Sequence, residues 1–218
     1  METTARLRRL RSILDAIDPV GNDLHEDIDQ YEQNLHHLRL LLAAVELDLL
    51  SLLAAIRQVP DSRWTLERHI AILVFEARNG VESKLSYLVN EAVKSSKQSP
   101  VAGGDFRQRL IEGQAMFKRS MDCLSVPAVE LKAVRDLVGS HYLSDVTGRK
   151  RPPGQQWARG LSAWIAEHDD LVRFPTGDPL GDRLVATATE AHAAFEELRQ
   201  WIEVTWAKQW GLGLHAPV

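Results

Sequence analysis

Ten apolar residues return at alternating steps of four and three between Leu24 and Ile56: Leu24, Ile28, Tyr31, Leu35, Leu38, Leu42, Val45, Leu49, Leu52 and Ile56. That spacing keeps every one of them on the same side of a 3.6-residue helix. It predicts one amphipathic helix of about thirty residues, which needs a partner to cover its stripe. A second stripe supplies one: Leu66, Ile70, Leu73, Ala77, Val81, Leu85, Leu88 and Ala92 predict a helix over 65–95. Pro60-Asp61-Ser62 ends the first helix and opens the second. Two long helices joined so tightly are expected to pack antiparallel. The acidic start of the first (Asp23, Glu26, Asp27, Asp29, Glu32) suits the positive end of its dipole. Gly80 interrupts the second stripe and reads as a site of close helix packing.

The rest of the chain is also helical in pattern. Thr4–Leu14 reads as a short amphipathic helix packed on the bundle, and Ser95–Gly104 as a linker. Helices are expected over 106–123, then 128–142 with Pro127 at its start, then 157–169, and last over 182–210. Val146–Gln155 and Phe174–Gly181 read as irregular segments, and no stretch alternates with period two. The expected fold is all-α: one helical bundle domain spanning 1–218, with two long antiparallel helices and several shorter ones. Its N-terminal helices cover 1–97, and the later helices cover 105–218.

Composition removes several functional classes. The longest apolar run, Leu40–Ile56, carries Glu46 and Asp48 and is shorter than the roughly 20 residues a membrane span needs. It reads as a buried core helix, so no membrane partner is expected. A net charge of −4 argues against nucleic-acid binding by the whole surface and leaves room for a local basic patch. The single cysteine, Cys123, cannot form an internal disulfide, which points to a reducing, cytoplasmic compartment. Between Met121, Leu124 and Val126 it reads as a small core residue. The chain has no Glu-x-x-His, no paired Cys/His zinc spacing, no Walker A loop and no Gly-x-Ser-x-Gly elbow. The adjacent His36 and His37 would point apart on a helix. No metal and no cofactor are expected.

One segment carries residues suited to chemistry: Val134-Arg135-Asp136-Leu137-Val138-Gly139-Ser140-His141-Tyr142. An arginine can hold a phosphate and stabilise developing charge, and a histidine can move protons near neutral pH. Spacing alone decides nothing, because nineteen arginines and eight histidines produce about two Arg-x4-6-His matches by chance. Two occur. Arg63…His69 opens a helix beside Trp64 and reads as structural. Arg135…His141 has Asp136 after the arginine, Gly139 before the histidine and the basic run Arg149-Lys150-Arg151 beyond. From Glu130 to Gly160 the charges are six positive and three negative, as backbone phosphate contacts would favour.

This segment resembles the RNase motif of the HEPN superfamily, all-α domains with an Arg-x4-6-His signature in which a small polar residue commonly follows the arginine. The matching residues are Arg135, Asp136 and His141. The resemblance implies a metal-independent endoribonuclease, usually a homodimer, in a defence or toxin–antitoxin setting with a restraining antitoxin or regulatory partner. It implies that Arg135 holds the scissile phosphate, His141 transfers protons and Asp136 orients one of them. Arg149, Lys150, Arg151 and Tyr142 are the candidate RNA contacts. The branch paired with nucleotidyltransferases places tyrosine two residues after the histidine; here that place is Leu143, and Tyr142 is adjacent.

Helix geometry sharpens this expectation. Residues six apart on an unbroken helix sit about 120° apart around its axis. Arg135 and His141 therefore need either a bend at Gly139 or a second copy of the chain to form one site. The same residues also fit a surface ion pair, Arg135–Asp136, and a histidine at a helix C-terminus. Glu76, Arg78 and Asn79 fit a cleft lining or, more simply, a polar outer face. The competing reading of the whole chain is a non-catalytic helical interaction or regulatory protein, and five of the six tryptophans, from Trp157 onward, would suit its packing.

Overall fold

A computed structural model describes residues 30–59, 62–95, 104–135 and 179–206, with isolated helical positions at 5, 8 and 10–12. Five helices organise the described residues: α1 (Gln30–Gln58), α2 (Arg63–Ser95), α3 (Gly104–Asp122), α4 (Ala128–Val134) and α5 (Pro179–Trp206). No strand occurs among them. None of these helices is long and apolar enough to cross a membrane. At the N-terminus Leu10 is buried while Arg8 and Arg11 are exposed.

Side-chain pairs fix the directions of the four long helices. Lys84 Nζ donates to Asn34 Oδ1 at one end of α1, and the Ser62 N–H donates to the Val59 carbonyl at the other, so α1 and α2 are antiparallel. Gln114 reaches Ser86, and Arg78 reaches Asp122, which runs α3 against α2. Ser120 reaches Glu197, and Ser125 reaches Glu190, which runs α5 against α3. Arg39 meets Glu203, and Arg199 meets Glu46, which runs α5 against α1. The result is an up-down-up-down bundle with α2 and α5 also touching across the middle.

The core follows from the periodicity. Leu35, Leu38, Leu42, Val45 and Leu49 of α1 are buried, facing Ile70, Val74, Val81, Leu85 and Leu88 of α2. The buried face of α5 keeps the same rhythm through Leu184, Ala188, Ala191, Phe195, Leu198 and Ile202. Phe117 of α3 packs on Phe195 with ring centroids 5.5 Å apart. Burying each such side chain contributes about 1.5–3 kcal/mol, so the stripes, rather than intrinsic helix propensity, hold the bundle.

Two details depart from the sequence expectation. Gly80 is exposed, and a Cβ there would meet nothing within 4 Å, so it marks no close packing. The close approach is at Gly113 of α3, where a Cβ would lie 2.5 Å from Cζ3 of Trp201. Cys123 is exposed, whereas its neighbours Met121, Leu124 and Val126 are buried. The reason is local: the buried face of α3 runs through Leu110, Phe117 and Met121, and a residue two places after Met121 would lie about 160° around the axis from it, away from the core.

Candidate functional site

Helix α4 begins on a turn that α5 holds in place. The Ser125 N–H donates to Glu190 Oε2 at 2.6 Å, and its hydroxyl to Oε1 of the same carboxylate, also at 2.6 Å. The Val126 N–H donates to Thr187 Oγ1, and Arg183 bridges the Ser125 carbonyl and Glu130. Pro127, in extended conformation at φ −61° and ψ 155°, launches the helix. Its preset φ and missing N–H suit a position where a helix has no partner for that N–H. Leu131 and Val134 are buried, and α4 packs on α2. Arg135, four residues after Leu131, therefore leaves α4 at the border of its packed face.

Arg135 continues the helix, with φ −61° and ψ −49° and its N–H directed at the carbonyls of Leu131 and Lys132. Its guanidinium is held by two neighbours on α2. The Nε–H donates to Glu76 Oε1 at 2.6 Å, and Cζ lies 4.9 Å from the centroid of the Phe75 ring. Phe75 is buried, so the ring is a fixed platform. The side chain of Arg135 retains 23% of its exposure and that of Glu76 51%, so solvent reaches both. Each contact is modest: an exposed ion pair contributes about 0–1 kcal/mol, and a cation–π contact at such a site about 0.5–1. Together they set the plane of a guanidinium beside water. Such a plane matches the paired oxygens of a phosphate or carboxylate.

The other residues expected at this site, Asp136, His141, Tyr142, Arg149, Lys150 and Arg151, lie outside the described residues, as does the bend expected at Gly139. What the structure brings to Arg135 comes instead from α2. Of the polar trio there, Glu76 and Asn79 are exposed, in keeping with an outer face. Glu76 also pairs with Arg135, while Arg78 turns to Glu82 and Asp122. A single chain read by itself offers little warning of this contact, which joins positions 59 residues apart. The available signal is that Glu76 ends the apolar run Ile70–Phe75 at the border of the packed face.

The second Arg-x5-His match behaves as structure. Arg63 donates to Glu67 and, at 2.6 Å, to Asp182, while His69 is exposed. These bonds lift the Arg63 pKa, the Glu67 hydrogen bond most. Glu67 is buried against Gly181, in the first turn of α5, where a carboxylate suits the positive end of the dipole. His36 is half-buried and His37 exposed. Burial, then the charge of Arg39, then His37 hold the His36 pKa below the ordinary histidine value. Among the described residues no group of three or more His, Cys, Asp or Glu side chains is placed to hold a metal ion.

A second arginine site lies inside the bundle. Arg199 of α5 donates from Nε to Glu46 Oε1 at 2.6 Å and from Nη2 to Oε2 at 3.1 Å, a fork on both carboxylate oxygens. Its Nη1 reaches Glu203 Oε2 at 3.1 Å, and Arg39 closes the chain on Glu203 Oε1 at 2.8 Å. Burial works against the charge on Arg199, but the Glu46 and Glu203 contacts outweigh it and raise its pKa. Glu46, which in sequence only breaks an apolar run, is fully buried.

No protein-family model, curated protein or solved structure matches the chain. Its function is therefore argued from its own residues.

Proposed function

We propose that this protein is a metal-independent endoribonuclease of HEPN type, with Arg135 as the phosphate-binding residue and His141 as the proton-transfer residue. The observation that carries the reading is the placement of Arg135. It borders the core, its plane is set by Phe75 and Glu76, and it remains open to solvent. In the proposed reaction the ribose 2′-oxygen attacks the adjacent phosphorus, and the bond from phosphorus to the 5′-oxygen breaks. The proton of the 2′-hydroxyl leaves as the attack proceeds, and the departing 5′-oxygen gains one. His141 serves one of these transfers, and Arg135 stabilises the charge developing on the phosphoryl oxygens. The products are a 2′,3′-cyclic phosphate end and a 5′-hydroxyl end. Asp136 orients the pair, and Arg149, Lys150, Arg151 and Tyr142 contact the strand. A homodimer is part of the proposal, as the resemblance implies: on an unbroken helix Arg135 and His141 would sit about 120° apart, and a second copy of the chain, or a bend at Gly139, would bring them into one site. So are a cytoplasmic setting, which the single cysteine points to, and a restraining antitoxin or regulatory partner, which the resemblance implies.

A second reading is favoured by one specific observation. The Arg135–Glu76 contact joins α4 to α2 and would serve equally as a strut in a non-catalytic interaction protein. RNA cleavage in EDTA by wild type, Arg135→Ala and His141→Ala separates the two. The nuclease reading predicts loss of about hundredfold or more for each substitution. Cleavage untouched by both, or none by any folded form, supports the interaction protein.

A further inference from the structure

Resting on the nuclease reading, we infer that Glu76 is a positioning residue of the same site: with Phe75 beneath, it fixes the plane of the Arg135 guanidinium for the scissile phosphate. Neither α2 residue belongs to the Arg-x5-His segment.

An arginine guanidinium stands on a long stem with several rotatable bonds, which must be ordered before its plane is fixed. Phosphate recognition by a guanidinium depends on the plane of its fork. At Arg135 two contacts remove that freedom. Phe75 lies under Cζ at 4.9 Å and restricts tilt. Glu76 accepts from Nε at 2.6 Å and restricts rotation about the stacking axis. Both sit on one turn of α2, whose neighbours Val74 and Ala77 are buried, so their backbone is anchored in the bundle.

Glu76 has a second effect of opposite sign. A carboxylate beside the guanidinium repels a phosphodiester approaching the same group, and partial exposure weakens that repulsion without removing it. Positioning and repulsion act on different kinetic constants. Orientation in the transition state appears in kcat, and repulsion of the bound strand appears in KM. Glutamine keeps an oxygen that can accept from Nε–H and loses the charge, whereas alanine loses both.

The test uses the full chain with Glu76→Gln, Glu76→Ala and Arg135→Ala. It follows the Arg135 Nε–H resonance by NMR and the cleavage of a single-stranded RNA in EDTA. The Nε–H is expected to exchange slowly in wild type and in Glu76→Gln, and faster in Glu76→Ala. For Glu76→Gln we expect kcat within about twofold of wild type and a KM lowered about two- to fivefold. For Glu76→Ala we expect kcat to fall about tenfold. Equal Nε–H exchange with and without Glu76 overturns the inference whatever the RNA shows. Loss of cleavage in Arg135→Ala with full kcat in Glu76→Ala overturns it and leaves the nuclease reading standing. Cleavage by Arg135→Ala at the wild-type rate, or none by any form, overturns both.

Discussion

Arg199 meets Glu46 between α5 and α1 with side-chain exposures of 5% and 0%, and Arg135 meets Glu76 between α4 and α2 with 23% and 51%. The side-chain types are the same; the surroundings are opposite. In the interior, two charges removed from water are tolerable only with nearly every donor and acceptor answered. Glu203 and Arg39 complete that chain. Such a network fixes how α5 lies along α1, since sliding either helix by one turn would strand a buried charge. At the edge, water answers what the protein does not. The contact there adds little to stability. One arginine is architecture; the other stands at the solvent edge, where the proposed function assigns it to the scissile phosphate.

The sharpest way to break this contrast is to remove one partner of each pair. Glu46→Ala takes the buried fork from Arg199 and leaves it Glu203 alone, and is expected to cost up to about 3–5 kcal/mol in urea unfolding. Replacing both, Glu46→Leu with Arg199→Met, should recover most of that loss; if it does not, the interior chain has a role beyond its own satisfaction. Gly113→Ala comes next. Its Cβ would press on the Trp201 ring, and overpacking of this kind costs about 1–3 kcal/mol. Gly80→Ala, with open space around it, should instead raise stability by up to about 1 kcal/mol.

The smallest effect concerns pH. His36 is kept neutral by burial and by Arg39, the outer end of the interior chain. A histidine whose folded pKa is depressed binds fewer protons folded than unfolded. The stability it supports is full above the ordinary histidine pKa and is lost as pH falls toward the depressed value. Unfolding of His36→Gln should therefore depend less on pH than that of wild type as pH falls below about 6.5, the ordinary histidine value. An unchanged slope would remove His36 from the account.

Much of the bundle was legible because burial imposes a period. The stripes Leu24–Ile56 and Leu66–Ala92 placed α1 and α2 to within two residues at the boundaries that could be compared, and the helix expected over 106–123 matches α3 as closely. The exceptions have physical reasons. Glu46 and Arg199 each fall in phase with their helix's buried face, Glu46 between Leu42 and Leu49 and Arg199 between Phe195 and Ile202. A charge in that phase in each of two helices was the signal for a buried pair, and only the fold says which two meet. Gly80 and Gly113 look alike in sequence and differ in what stands opposite. Of the candidate segment Arg135–Tyr142, which stands out in the sequence, the described residues include Arg135 alone. The α2 half of the site was not legible, because Phe75 and Glu76 read as one core residue and one outer residue until α4 is laid across them.

In the proposed function Arg135 serves chemistry and adds little to the architecture. RNA cleavage in EDTA by Arg135→Ala, followed beside its melting temperature, tests this. Cleavage is expected to fall about hundredfold or more, with stability changed by less than about 1 kcal/mol. Wild-type cleavage that survives the substitution, or a large fall in melting temperature with cleavage unchanged, would contradict it.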